Sequence, residues 1–365
     1  MVRKLLVREA PIRIRTLERT FVKSFKVTVI VLNFNGKHFL QQCLDSVSKQ
    51  SYGRVDLMVV DNASEDNSVE FVQDNFPHTY VVRNSTNLGF AEGNNVGIRL
   101  ALARGADFVL LLNNDTVLDP AAIEAMISLA ASEPSAGIVG SLVRDLEDRQ
   151  MNVELGLDCD IIGFPLNMID RQIQKDVTSP FYVSGCAMMV KREVFQRIGL
   201  LDSSYFMFAE DLDFCWRARL AGYAVYATRS SIVYHKSGGT TPGGALRGRT
   251  HQTTQRRMYL SRRNTLKTLL KNYGFQSLLF TLPLSVLFEL VTAATALALR
   301  QPKISKACVE ALTWNLKNMP DTVQARIQVQ AMRRISDRDV LARLSKKSSL
   351  VRSYLMIDDI ELASK

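Results

Sequence analysis

The chain is poor in the features that hold small secreted domains together. Its five cysteines (Cys43, Cys159, Cys186, Cys215 and Cys308) are scattered over 365 residues with no Cys-x-x-Cys pair. That spacing argues against a zinc ribbon or a disulfide framework and favours reduced thiols in a cytosolic setting. No apolar core of signal-peptide type opens the sequence. Residues 1–26 form a basic segment, with Arg3, Lys4, Arg8, Arg13, Arg15, Arg19, Lys23 and Lys26 against Glu9 and Glu18, which argues against secretion. There is no internal repeat, no low-complexity tract and no nucleic-acid-binding motif. A Gly-rich, Lys- or Arg-bearing phosphate loop near the first strand is also missing, which weakens a nucleotidyltransferase reading.

What is present is a core-forming composition with a surplus of positive charge. Hydrophobic residues make up 47% and charged residues 22%, enough apolar surface for one large domain with an appendage or two modest ones. A net charge of +10 favours anionic partners, whether an acidic lipid surface or phosphorylated substrates, although a solvated basic surface would look the same.

Strand and helix patterns alternate from residue 27. Val27–Leu32 and Val55–Val60 are runs typical of buried parallel strands, and Tyr80–Val82 and Phe108–Leu112 follow in the same register of spacing. Between them, Phe39, Leu40, Cys43, Leu44 and Val47 recur at helical spacing. Ser64 is placed to cap a helix holding Val69, Phe71 and Val72, and a helix is expected over Asn94–Ala103. The result is an α/β fold, a mostly parallel sheet flanked by helices. Residues 142–180 read as irregular. Order returns at Phe181–Val190, in a short helix at Lys191–Ile198, a helix at Phe214–Ala221 and a late strand at Ser230–Tyr234.

In open α/β sheets ligands bind beyond the carboxyl ends of the strands. Three such ends are polar: Asn33 with Asn35, Asp61 with Asn62, and Asn113–Asn114–Asp115. Any one alone is commonly a turn. A strand-end carboxylate such as Asp115 either bonds to backbone amides or ligates a hard divalent ion. Glu210–Asp211–Leu212–Asp213 follows the aromatic run Tyr205–Phe206–Met207–Phe208. Acids beside apolar rings acquire raised pKa values suited to proton abstraction, while acids at a helix start are common for dipole reasons alone. His235 follows the late strand and precedes Gly238–Gly239; a lone histidine is most often structural.

In order and spacing, these segments resemble the inverting family-2 glycosyltransferases of GT-A fold, in particular a bacterial rhamnosyltransferase-like branch. The resemblance covers roughly residues 27–240. It rests on Val29–Gly36, Val60–Asp66, Asn84–Asn95, Leu111–Asp115, and Ser184–Met189 continuing through Gly199–Asp202 to Glu210–Arg217. It implies that Asp61 bonds the nucleotide base near Asn33 and Asn35, with Asn62, Asn87, Gly89, Asn94 and Asn114 completing a nucleotide-sugar site. It also implies that Asp115 binds a divalent metal (Mn2+ or Mg2+) with His235, and that Asp211 is the catalytic base with Glu210 beside it. Asn113 stands where the family's Asp-x-Asp motif has its first aspartate, which bears on metal dependence. Rhamnose from a dTDP donor is the favoured sugar, a UDP-hexose the alternative. A noncatalytic carbohydrate-binding protein would not need Asp115, Asp211 and His235 together. A polysaccharide synthase would carry several membrane spans and a Gln-x-x-Arg-Trp motif, neither of which is found.

The expected organisation is a basic segment at 1–26, a GT-A domain at 27–240, and a loop followed by a helical C-terminal region at 241–365. Within the last, Ser277–Leu299 has one charged residue, Glu289, and would extend about 34 Å as a helix. Pro283 and Glu289 interrupt it and basic residues flank both ends (Lys267, Lys271; Arg300, Lys303, Lys306). That pattern favours peripheral or re-entrant contact with a membrane, ahead of an ordinary buried helical pair and, last, a span. A glycan or polyprenyl-diphosphate-linked acceptor and a cytoplasmic enzyme at the inner face of the cell membrane fit the resemblance.

Overall fold

The computed structural model describes residues 24–167, 169–236, 238, 246, 247, 250–344 and 360–362. Most of the basic N-terminal segment and of the Gly-rich stretch after His235 lie outside the described residues. The first half runs β1 (Val27–Asn33), α1 (Lys37–Ser48), β2 (Val55–Asp61), α2 (Ser68–Asn75), β3 (Tyr80–Arg83), α3 (Gly89–Ala103), β4 (Phe108–Asn113), β5 (Thr116–Leu118), α4 (Ala122–Ser132) and β6 (Ala136–Asp145). Short elements follow: β7 (Asn152–Glu154), β8 (Asp158–Cys159), β9 (Pro165–Leu166), α5 (Ile169–Gln172) and β10 (Val177–Thr178). Then come β11 (Ala187–Lys191), α6 (Arg192–Ile198), α7 (Glu210–Leu220) and β12 (Ala224–His235). After β13 (Leu246–Arg247) and β14 (Thr250–Thr253), helices α8 (Gln255–Asn272), α9 (Phe275–Ala298), α10 (Pro302–Lys317), α11 (Met319–Met332) and α12 (Asp337–Arg343) complete the chain, with β15 at Ile360–Leu362.

The main sheet is ordered β10-β12-β6-β11-β4-β1-β2-β3, with β5 on β12 and β7 on β6. Strands β4, β1, β2 and β3 are parallel neighbours, β11 runs antiparallel between β4 and β6, and β12 lies parallel to β6. Because both faces of the central strands are covered, their side chains alternate between two cores. Val27, Val29 and Val31 enter one with Leu40, Leu44, Ile123 and Met126 of α1 and α4. Ile30 enters the other with Ile98 of α3, Val194 of α6 and Trp216 of α7. Trp216 is fully buried and meets Phe181 and Tyr273 edge-on, with ring centroids 5.1 and 4.8 Å apart. Since Tyr273 follows α8, the helical C-terminal region is packed into the same core as the sheet.

The α/β sheet and the helical C-terminal region match the sequence expectation, with instructive differences in the elements. Ser64 does not cap α2. Its Oγ instead accepts from Asn33 Nδ2 at 3.1 Å and from the Asn35 amide at 2.9 Å, and α2 starts at Ser68 after a left-handed Asn67. Helix α3 starts at Gly89 rather than Asn94, and α7 at Glu210 rather than Phe214. The first turn of α3 is satisfied from afar: the amides of Phe90 and Ala91 donate to the Phe206 carbonyl at 2.6 and 3.2 Å. The N-cap position itself, Leu88, offers no side-chain acceptor. Strand β12 is longer than Ser230–Tyr234, and α9 continues through Pro283.

Candidate active site

Where the parallel strands end, polar side chains interlock. Asn33 Nδ2 donates to Asp61 Oδ1 at 3.0 Å, and Asn114 Nδ2 donates to Asn33 Oδ1 at 2.7 Å. The Ser64 amide donates to Asp61 Oδ2 at 2.9 Å. Asn62 Nδ2 reaches the Gly89 carbonyl at 2.9 Å, while the Gly89 amide donates to Asn87 Oδ1 at 2.9 Å. Gly89 has φ of +77°, and a Cβ there would meet the Phe206 carbonyl oxygen at 2.5 Å, so the close approach requires glycine.

Above this network lies a cavity of about 450 Å³. Asn62, Asn87, Gly89, Asn114, Asp115, Glu210, Asp211 and His235 all line it, so residues spread over more than 170 positions converge. Asn33, Asn35, Asp61 and Asn94 do not line it. Asn33 and Asp61 are buried beneath, each engaged by the other, and Asn94 bonds the Phe90 carbonyl within α3 at 2.9 Å. Asn35 is exposed, its Oδ1 accepting from the Glu65 amide at 2.8 Å. These four shape the floor and rim, and direct ligand contact is not what their present bonds provide.

Asp115 and His235 meet because β5 pairs antiparallel with the end of β12, setting His235 opposite Thr116. His235 Nε2 lies 3.3 Å from Asp115 Oδ1, with the carboxylate 2% and the imidazole 18% exposed. One carboxylate oxygen and one imidazole nitrogen at a cavity wall form a donor pair suited to a divalent cation such as Mn2+. Among the described residues no third histidine, cysteine or acid joins them.

The acidic pair is set by an unusual turn. Phe206, Phe208 and Ala209 have φ values of 61°, 72° and 61°, three left-handed residues without a glycine among them. Asn264 on α8 spans this turn, its Nδ2 donating to the carbonyls of Tyr205 (2.9 Å), Met207 (2.8 Å) and Phe208 (2.7 Å). Arg263 adds bonds to the carbonyls of Ser204 and Tyr205 at 3.0 and 2.8 Å. On the far side of α7, Asp213 is buried against Arg217 (2.8 Å) and Lys271 (3.0 Å), and Lys271 also reaches Asp202 at 2.6 Å. The same turn that is strained is therefore anchored on both flanks.

Asp211 accepts from the Gly185 amide at 3.1 Å and from the Leu212 amide at 2.8 Å. Burial raises its pKa, and these two amides hold the rise in check. Glu210 is pushed well above the usual carboxylate range by burial and by the neighbouring Asp211 charge, and its Oε2 has no hydrogen-bond partner among the described residues. Of the pair, Glu210 is raised the further, so Asp211 ionises first. Glu154 of β7 shares the cavity and is raised to about 7 by burial and by the Asp211 charge, opposed by His235 and the Ser184 amide.

Glu154 was not singled out from the sequence, and as a lone acid in an irregular stretch it carried no signal. Arg257, Ser261 and Thr265 also line the cavity and were missed. They lie four residues apart along α8, a spacing that puts them on one helix face and was readable in principle.

Residues 28–199 match the model of the family described as Glycosyl transferase family 2. The chain carries a family 2 glycosyltransferase domain. Over 236 residues the transferase is 26% identical to N-acetylglucosaminyl-diphospho-decaprenol L-rhamnosyltransferase of Mycobacterium tuberculosis, covering 58% of this chain and 76% of that enzyme. The mannosyltransferase PcManGT of Pyrobaculum calidifontis, solved with GDP-Man and Mn2+, superposes with a TM-score of 0.50 at 16% identity, covering 91% of this chain and 87% of its own. GalNAc-T7, solved with UDP, GalNAc and Mn2+, gives a TM-score of 0.56 at 11% identity, covering 80% of this chain and 57% of that one. At such identities the two structures establish the GT-A fold of the transferase and nothing finer.

Proposed function

We propose that the transferase is an inverting enzyme that moves a sugar, rhamnose from dTDP-rhamnose being favoured, from a nucleotide-sugar donor to an acceptor hydroxyl in cell-surface polysaccharide synthesis. The observation that carries this reading is the placement of Asp211 and the Asp115–His235 pair on one cavity. Asp211 is oriented by two backbone amides and ionises before Glu210 beside it, as suits a general base. It would take the proton of the acceptor hydroxyl as that oxygen bonds to the anomeric carbon. The bond from that carbon to the diphosphate breaks with its electron pair leaving on the diphosphate oxygen, so one displacement inverts the centre and needs no protein nucleophile. Asp115 and His235 would hold a divalent ion, which when bound neutralises charge on the departing diphosphate. Asn62, Asn87, Gly89 and Asn114 line the donor side of the reading, with Asn33, Asn35, Asp61 and Asn94 supporting them.

The acceptor in this proposal is a glycan or a polyprenyl-diphosphate-linked sugar, met by peripheral contact at the inner face of the cell membrane. The relative from Mycobacterium tuberculosis supports it, since its name gives a diphospho-decaprenol acceptor, and so does the apolar α9. A screen of nucleotide sugars with and without manganese, reading donor hydrolysis and the anomeric configuration of any product, tests the proposal. Donor turnover with inversion, lost in Asp211→Asn, is expected; a product with retained configuration overturns the single displacement.

A further inference from the structure

Helix α9 is inside out for a helix that faces water. Its fully buried positions are Thr281, Ser285, Glu289, Thr292, Ala293 and Ala296, with the half-buried Leu278, Leu284 and Phe288 packed on the core beside them. Its outer positions carry Phe275, Leu279, Phe280, Leu287, Leu290 and Leu297, with Phe280 79% and Leu297 63% exposed. With the exposed Pro283 and Ala294 filling the gaps, these recur about every three to four residues and form one stripe along the 24-residue helix. A water-facing helix shows the opposite arrangement. Isolated exposed leucines are ordinary, but a continuous apolar stripe marks a contact surface. Three of the four inward polar groups are satisfied: Glu289 pairs with Arg262 at 2.6 Å, and the hydroxyls of Thr281 and Thr292 bond carbonyls one turn back at 3.1 and 2.8 Å, while the Ser285 hydroxyl has no partner among the described residues.

We propose that this stripe is a bilayer-docking surface, with α9 lying in the plane of an anionic membrane. The proposal rests on the membrane-borne acceptor of the preceding section and names the surface that meets it. Charge selects the occupant. No exposed position of α9 is acidic, and its carboxyl end leads directly to Arg300, Lys303 and Lys306, all exposed. Cations at that height meet anionic headgroups while the stripe meets the acyl boundary. The helix lies along the membrane rather than through it because its inner face packs on α8 and α10. Helix α8 in turn carries Arg257, Ser261 and Thr265 on the cavity wall. One helix layer therefore separates the membrane surface from the catalytic cavity, and the head of a lipid-borne acceptor has only that layer to pass.

The test uses the full-length chain and vesicles of phosphatidylglycerol and phosphatidylcholine in equal parts, with Leu287→Glu/Leu290→Glu as the variant. Both positions are exposed, so the change leaves the core intact. The wild type should float with the vesicles at low salt, and the double variant should bind at least about tenfold more weakly while donor hydrolysis is unchanged. Wild type that stays in the soluble fraction, or a variant that floats as well as wild type, overturns the docking surface. Sedimentation without vesicles provides the competing outcome: a dimer that the double variant dissolves gives the stripe to a second copy of the chain and also overturns it. If flotation follows the stripe but no donor is hydrolysed by either protein, docking stands and the transferase reading falls alone.

Discussion

Replacing Asn264 by alanine should cripple catalysis from a residue that does not line the cavity. The turn from Tyr205 to Ala209 places three non-glycine residues in the left-handed region, at about 1–2 kcal/mol each. Asn264 opposes that strain with one amide group donating to three carbonyls at 2.7 to 2.9 Å. The substitution removes those bonds and leaves buried carbonyls to other partners; as the amide shares two hydrogens among three acceptors, the net loss is about 2 kcal/mol at about 1 kcal/mol per donated hydrogen. If that loss falls on the equilibrium between the strained turn and a relaxed one, the competent population drops about 30-fold, since 1.4 kcal/mol is tenfold. Turnover should fall by that factor while donor affinity falls less, because Asp115, His235 and Asn62 do not touch Asn264 and the donor side meets the turn through Phe206 against Gly89 and the start of α3. Steady-state transfer gives kcat, and calorimetry with the nucleoside diphosphate gives donor-side binding. Asn264→Asp keeps the shape but loses the donating group, so it should behave like the alanine variant. A folded Asn264→Ala protein with turnover within about threefold of wild type, or with its loss confined to nucleotide affinity, would refute the reasoning.

Asp211→Asn should abolish transfer with nucleotide binding nearly intact, checked by product formation against calorimetry; activity near wild type would move the base to Glu210 or Glu154. Because the base must be ionised and burial raises its pKa, the acid limb of the rate profile should lie above the ordinary aspartate value near 3.8, activity being lost as pH falls through it. Asp115→Ala and His235→Ala should each weaken manganese-dependent nucleotide binding more than metal-free binding, and an unchanged manganese response in His235→Ala would make that histidine structural. Lys271→Met should destabilise the fold by about 3 kcal/mol in thermal or denaturant unfolding, as it leaves Asp213 and Asp202 with one cation fewer. Burial opposes ionisation of Asp213, but Lys271 and Arg217 overcome it and lower its pKa. That contribution is present above the unfolded aspartate pKa and lost as pH falls through the folded one, so the gap between wild type and variant should narrow in acid.

The sheet was legible because its central strands are buried on both faces, and runs such as Val27–Leu32 have few other homes. Helix starts were less legible. For α3 and α7 the first-turn amides and the approach of the chain are governed by contacts more than 50 residues away, Phe206 to Phe90 and Asn264 to Phe208. Local capping rules look for a side-chain acceptor at the N-cap, and neither Leu88 nor Ala209 offers one. Ser64 shows the converse error: a good capping residue was already committed to Asn33 and Asn35 across the strand ends.

The same logic explains which site residues were readable. Asp115, Glu210, Asp211 and His235 stand at the ends of strong elements, so a sheet-edge rule and a resemblance could point at them together. Asp61 and Asn33 were equally visible, yet the structure spends them on each other, because two polar side chains on adjacent parallel strand ends lie within hydrogen-bond reach. Glu154, Arg257, Ser261 and Thr265 enter the cavity from an irregular stretch and from a helix beyond residue 240. The family match ends at residue 199, before the turn at 205–209, before the acid pair and before α8. The proposed site is thus completed by parts beyond that match: the turn leads into Asp211, α8 holds the turn, and α9 backs α8. A change that loosens α8 should therefore act on turnover before it acts on the donor site, which is why Asn264 is the position that separates this account from one in which the C-terminal helices merely stabilise the fold.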